Sequence, residues 1–288
     1  AVMTELPLVI VDVQRGGPST GLPTKSEQSD LYQALFGRNG ECPVIVIAAS
    51  TPDNCFYYAY MAAKYSMEHM TPVIFLTDGT MGFGSVLFRI PKVASLPPIN
   101  PPIAQPNDPD YKPYRRDPET LVRQWALPGT EGLRHRIGGL EKADITGSVS
   151  TDPMNHQHMV DMRAAKVEKL ADFLPEQEVN GPAEGDLLVV SWGGTYGQVH
   201  QAISQMQEEG KTITHTHFNY IMPLPKNTGD ILKRFKRILV CELNSGQFVN
   251  YLKMKFPMMN YSQYNKVQGL PFTTQELMDK FNQMLEEK

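Results

Sequence analysis

Apolar residues in this chain fall into short dense runs separated by polar, glycine- and proline-rich joints. The first run, Leu6-Pro-Leu-Val-Ile-Val-Asp-Val13, is nearly continuous and rich in β-branched residues, the pattern of a strand buried on both faces of a parallel sheet. Residues 43–49 and 72–77 repeat the pattern. Between these runs, residues 26–36 have a capping Ser26, acids in the first turn and a Gly37 stop, and residues 54–67 follow the helix-start signal Ser50-Thr-Pro-Asp53. Strands and helices alternating over short joints predict a right-handed parallel α/β unit. Only three strands are in sight, and Ala1-Val-Met-Thr-Glu5 reads as the last turn of a helix feeding the first strand. The chain is therefore expected to be a fragment lacking an amino-terminal part.

A second α/β unit begins at Asp186, with strands over 187–192, 212–218 and 237–242 and helices over 199–209, 227–234, 244–256 and 274–286. Between the units, Leu96-Pro-Pro-Ile-Asn-Pro-Pro-Ile103 excludes a helix, and the tract through Arg116 is poor in apolar residues. An extended connector is expected there, followed by a helix over 155–173. The resulting division is 1–84, 85–185 and 186–288.

The composition narrows the partners and chemistry. A net charge of −4 does not indicate a nucleic-acid-binding surface. No apolar run reaches the ~18 residues of a membrane span. Cys42, Cys55 and Cys241 are widely separated and form no CxxC pair, so an iron–sulfur cluster or structural zinc within this chain is not expected, and reduced cytosolic thiols are the simplest account.

The candidate site is Arg15-Gly-Gly-Pro-Ser-Thr-Gly-Leu-Pro-Thr24, a loop too rich in glycine and proline for regular structure, placed at the carboxyl end of the first strand. Ligands bind at that end of open α/β sheets. An arginine there, with main-chain N–H groups beside it, suits a planar carboxylate or a phosphate. Other constellations have plainer readings. Gly193-Gly-Thr-Tyr-Gly197 lies between strand and helix but matches neither dinucleotide nor P-loop spacing, so a tight structural turn is favoured over a nucleotide-binding oxidoreductase. His156 and His158 face different ways on a helix; His215 and His217 share a strand face but lack an evident third ligand. Asp78-Gly79 reads as a turn, and Arg115-Arg116 and Lys233-Arg234 read as solvated surface. From the residues alone the chemistry stays open.

The segment Gln14 to Leu31 resembles the signature loop of the α subunit of 2-oxoacid:ferredoxin oxidoreductases, most closely the 2-oxoglutarate enzymes. Further segments resemble that subunit in order: Ile47-Ala-Ala-Ser-Thr-Pro-Asp53, Thr71 to Gly79, Gly139-Leu-Glu141, Ser150-Thr-Asp-Pro153, Trp192 to Gly197, Glu242-Leu-Asn-Ser-Gly-Gln247 and Tyr264 to Gly269. The resemblance implies an α/β fold of two parallel-sheet domains: part of a thiamine-diphosphate pyrimidine-binding-type domain and a transketolase C-terminal-like domain used mostly for assembly. It implies a cytoplasmic subunit of an enzyme that oxidatively decarboxylates a 2-oxoacid to its acyl-CoA and passes electrons to ferredoxin. Arg15 would bind the substrate carboxylate, with Gly16, Gly17, Ser19, Thr20 and Thr24 around it. Thiamine diphosphate with magnesium and a [4Fe-4S] cluster would be held mainly by a partner β subunit, coenzyme A would be a co-substrate, and two α–β pairs would assemble. Alone, the chain would be inactive. Lys142-Ala-Asp144 stands where the family usually has His-Asp-Glu. A non-catalytic assembly or regulatory module on the same fold is the alternative.

Overall fold

The computed structural model describes residues 1–287. The strands are β1 (Leu8–Gln14), β2 (Ile45–Ala48), β3 (Pro72–Asp78), β4 (Gly185–Trp192), β5 (Thr214–Phe218), β6 (Tyr220–Met222), β7 (Phe235–Glu242) and β8 (Tyr261–Asn265). The α-helices are α1 (Leu31–Phe36), α2 (Asn54–His69), α3 (Gly79–Phe83), α4 (Pro153–Lys169), α5 (Tyr196–Glu208), α6 (Thr228–Lys233), α7 (Gln247–Lys255) and α8 (Thr274–Glu286).

Two four-stranded sheets form, in the orders β1-β3-β2-β6 and β5-β4-β7-β8. The second is parallel throughout. In the first, β1, β3 and β2 are parallel, but the fourth strand is β6, paired antiparallel to β2 across Val46↔Met222 and Ile47↔Tyr220. The chain thus leaves the second sheet at Phe218 and enters the first one two residues later, at Tyr220. No hydrophobic pattern marks so short a strand, and the sheet expected to be purely parallel is mixed.

Alternation along the strands assigns the cores, because successive side chains point to opposite faces. Val46 and Ala48 face inward with Leu188, Val190 and Trp192, and with the apolar sides of α1, α6 and α7, in one continuous core shared by both sheets. Ile45, Ile47, Val73 and Phe75 pack on Met61, Ala62 and Tyr65 of α2 and on Val167 of α4. On the far side, Leu187 and Val189 meet α5 and α8 through Ile203, Met206, Leu277 and Phe281.

Two expectations are corrected. β1 is an edge strand paired only with β3, and its apolar side chains are largely uncovered in this chain, with Val13 58% exposed. Hydrophobicity alone does not say what covers a strand. The helix expected from Ser26 starts at Leu31, because residues 26–30 are held by distant strand ends instead.

Between Gly84 and Asp152 the regular structure amounts to a 3₁₀ turn, Val93–Ser95, and isolated bridges such as Tyr114↔Ile145 and Arg116↔Arg123. Buried charges hold this tract. Glu5, 1% exposed, accepts from Arg116 Nη1 at 2.8 Å, from Arg116 Nη2 and from Lys166 Nζ; Arg123 donates to the Thr4 and Glu5 carbonyls. The Arg116 side chain, 7% exposed, is therefore ion-paired rather than solvated. The cations hold the Glu5 carboxyl down at about 2 against the opposing effect of burial. Burial and the neighbouring arginines lower Lys166 to about 8.

Candidate functional site

β1 ends on Gln14, whose buried side-chain amide donates to the Thr77 carbonyl (3.2 Å) and accepts from the Asp30 N–H (3.2 Å). This fixes where the Arg15 loop departs, at the carboxyl ends of β1 and β3. The loop closes on itself: Gly16 N–H donates to Lys25 O, Leu22 N–H to Gly16 O, and Lys25 N–H to Leu22 O. Gly21 is required at the closure. Its φ is +44°, and a Cβ there would stand 2.1 Å from Gly16 O. Ser19 (φ 56°) and Thr24 (φ 65°) also occupy the left-handed region, where a non-glycine residue carries a conformational cost.

Of the residues expected at the site, Gly16 is buried at the loop base, whereas Arg15, Gly17, Ser19, Thr20 and Thr24 are exposed. Arg15 does not sit in a closed cleft of this chain. Among the described residues its carbonyl accepts from Ser29 Oγ (2.8 Å), while its guanidinium forms neither an ion pair nor a hydrogen bond.

Under the loop, Asp78 caps α3: Oδ1 accepts from the N–H groups of Thr80 (2.8 Å) and Met81 (3.3 Å), and Thr80 Oγ1 donates to Ser26 Oγ (2.7 Å). Burial raises the Asp78 carboxyl above its ordinary range, partly offset by these donors. Oδ2 faces the second unit, where a Cβ on Gly194 would stand 1.9 Å from it. Gly193, Gly194 and Thr195 are all buried. That leaves this turn as a contact between the units rather than a phosphate cradle.

The histidines are spoken for differently. Ser191 Oγ lies 2.7 Å from both His215 Nε2 and His217 Nδ1, and burial lowers His215 to about 3 and His217 well below the ordinary histidine range. His156 pairs with Glu141 (2.6 Å) and His158 with Asp144 (3.2 Å). Glu141 also accepts from both terminal nitrogens of Arg163 (3.1 and 3.2 Å), while Lys142 Nζ donates to the Gly138 and Leu140 carbonyls. Among the described residues, no group of three His, Cys, Asp or Glu is arranged to hold a metal ion.

Sequence reasoning missed the stem that follows the loop. Ser26, Glu27 and Gln28 are polar yet buried; Ser26 is held by Thr80, while the partners of Glu27 and Gln28 lie in the second unit. The only sequence signal was a polar run where an amphipathic helix was expected.

Residues 1–154 match the family described as pyruvate flavodoxin/ferredoxin oxidoreductase, thiamine diphosphate-binding. The chain belongs to this family. Over 277 residues it is 46% identical to the 2-oxoglutarate oxidoreductase subunit KorA of Mycobacterium tuberculosis, covering 96% of this chain and 42% of that subunit. The 2-oxoglutarate synthase subunit KorA of Methanothermobacter marburgensis is 27% identical over 282 residues, which is 97% of this chain and 74% of that subunit. Among solved structures, the 2-oxoglutarate:ferredoxin oxidoreductase from Magnetococcus marinus, with 2-oxoglutarate, coenzyme A and succinyl-CoA bound, aligns with a TM-score of 0.92 at 30% identity. That alignment covers 99% of this chain and 50% of the other. The chain thus spans about half the length, or less, of two of these relatives. None of the described helices is long and apolar enough to cross a membrane.

Proposed function

We propose that this chain is part of the α subunit of a thiamine-diphosphate-dependent 2-oxoacid:ferredoxin oxidoreductase acting on 2-oxoglutarate, and that Arg15 binds the carboxylate next to the ketone. One observation carries the reading. Arg15 stands on a self-closed loop at the carboxyl ends of β1 and β3, exposed and, among the described residues, not paired with an acid. A guanidinium left free in this way offers a fixed fork of donors to a carboxylate supplied from outside. Gly16, Gly17, Ser19, Thr20 and Thr24 shape the loop that presents it.

The residues present do not form a diphosphate–magnesium site. The Gly193 turn is buried, and no acid cluster among the described residues can hold the ion. In this reading the cofactor, magnesium and a [4Fe-4S] cluster sit mainly on a β subunit that closes over the exposed loop. Coenzyme A enters as co-substrate, ferredoxin takes the electrons, and two α–β pairs assemble in the cytoplasm. Arg15 itself orients the substrate. Its grip must not strengthen toward the bound acid at the expense of the transition state, since binding both equally gives no acceleration of the chemical step.

The test is 2-oxoglutarate-dependent reduction of a viologen dye by the complete enzyme. Arg15→Ala is expected to raise KM for 2-oxoglutarate by about 100-fold, the loss of a charge-assisted bidentate contact of ~3 kcal/mol. Unchanged activity at limiting substrate removes the role given to Arg15.

A further inference from the structure

The polar stem between the loop and α1 makes a set of buried polar contacts with the second unit. Gln28 is 0% exposed, and every polar group it carries is answered by the second unit. Its N–H donates to the Leu243 carbonyl (3.0 Å), and its side-chain Oε1 accepts from the Leu243 N–H (2.9 Å). Its Nε2 donates to the Trp192 carbonyl (2.6 Å), and its own carbonyl accepts from Asn244 Nδ2 (2.9 Å). Next to it, Glu27 Oε1 accepts from the Gly269 N–H (3.0 Å). On the other side, Gln247 donates to the Ser29 carbonyl (2.9 Å) and accepts from the Tyr32 N–H (2.8 Å).

These bonds join the stem to the carboxyl ends of β4 and β7 and to the turn at Gly269. The same turn rests on the loop itself. A Cβ on Gly269 would stand 2.8 Å from Lys25 Cβ and 3.0 Å from Leu22 Cδ1, the two residues that close the loop against Gly16. The loop base is thereby gripped from below by Gln14 and from the side by the second unit, while the Arg15 guanidinium is exposed and, among the described residues, makes no hydrogen bond or ion pair.

We propose that Gln28 is a positioning residue for substrate binding: through it the second unit fixes where the Arg15 guanidinium stands, in addition to any part it has in assembly. This rests on the substrate role given to Arg15 above. A glutamine is needed because both ends of its amide are used in opposite senses. A glutamate at the position keeps the acceptor for Leu243 N–H but sets an oxygen against the Trp192 carbonyl. An alanine leaves the Leu243 N–H buried without its partner and the Trp192 carbonyl with the Thr195 hydroxyl alone. Displacing a binding group by even 1 Å costs on the order of 100-fold in an enzyme.

The experiment compares Gln28→Ala, Gln28→Glu and Gln247→Ala with the unaltered protein in the complete enzyme, by two readouts. The first is hydrogen exchange at the Gly16, Leu22 and Lys25 amides without substrate, expected to accelerate at least ~10-fold in Gln28→Ala and less in the other two. The second is KM for 2-oxoglutarate, expected to rise about 10- to 100-fold in Gln28→Ala with a smaller change in kcat, Gln28→Glu lying between. Unaltered exchange at those amides overturns the clamp. Faster exchange with an unaltered KM, when Arg15→Ala does raise KM, overturns the positioning role. If Arg15→Ala leaves KM unaltered, the reading of the loop as a carboxylate site falls, and with it the positioning role, while the exchange data still decide whether the clamp exists. Should Gln28→Ala fail to fold, Gln247→Ala carries both readouts, because it loosens the stem without emptying the buried position.

Discussion

Replacing Glu5 by glutamine keeps the shape of the side chain and removes its charge from between Arg116 and Lys166. Lys166 and Glu5 are each 1% exposed, so water does not compensate. Taking one partner from a buried pair costs about 3–5 kcal/mol. An upper bound follows from the lysine itself. Its pKa is already lowered to about 8 with Glu5 in place. Without that carboxylate it falls further and Lys166 sheds its proton in the folded state. Deprotonating an ordinary lysine of pKa ~10.4 at pH 7 costs about 5 kcal/mol, at ~1.36 kcal/mol per unit, so the loss saturates there. Urea unfolding followed by tryptophan fluorescence, or a thermal melt, reads the change, expected to be a midpoint lowered by about 10 °C for a chain of this size. The pH dependence gives a sharper mark. In Glu5→Gln the unfolded state binds one more proton than the folded state from pH 7 up to ~10, so stability climbs with pH by up to ~1.4 kcal/mol per unit over that range. In the unaltered protein the climb starts only above about pH 8. Adding Lys166→Met to Glu5→Gln should restore at least half of the loss. A single variant within about 1 kcal/mol of the unaltered protein, or a double variant no better than the single one, refutes the account of this tract as held by buried charge.

Gly194→Ala forces a methyl group against Asp78 Oδ2 at the contact between the two units, and a loss of about 1–3 kcal/mol in a thermal melt is expected; an unaltered midpoint shows that the turn yields freely. His69, His215 and His217 are buried and neutral, with pKa values lowered to about 4, about 3 and well below the ordinary value. Their stabilising contribution is complete above pH ~6.5, where the unfolded histidines are also neutral, and is lost as pH falls toward 4, because the unfolded state takes up the protons first. Unfolding midpoints measured from pH 7 to 4.5 should fall by the equivalent of several kcal/mol, and a His215→Asn, His217→Asn double variant should flatten the profile. A flat profile in the unaltered protein refutes the assignment. Arg15→Ala and Gln28→Ala test the loop as described above.

The sequence by itself determined the α/β class, most of the elements and the loop. Dense β-branched runs such as 72–77, the helical run 274–286 and the glycine-rich Arg15 segment are local signals, and local backbone preference obeys them: α8 runs over Thr274–Glu286, opened by a Thr273–Glu276 capping box that the structure shows. The family was also legible, because its matching segments are short and ordered along the chain. Only the tertiary structure decided the rest. β6 is three residues long and finds its place by pairing with β2 rather than by its own pattern. Residues 26–30 have helical composition, yet hydrogen bonds to positions more than 160 residues away outweigh propensity and unwind them. Arg116 looks like a surface charge until Glu5, 111 residues earlier, is folded against it. In each case the deciding partner is distant in the chain, and a free energy that depends on such a partner leaves no trace in the residues that respond to it.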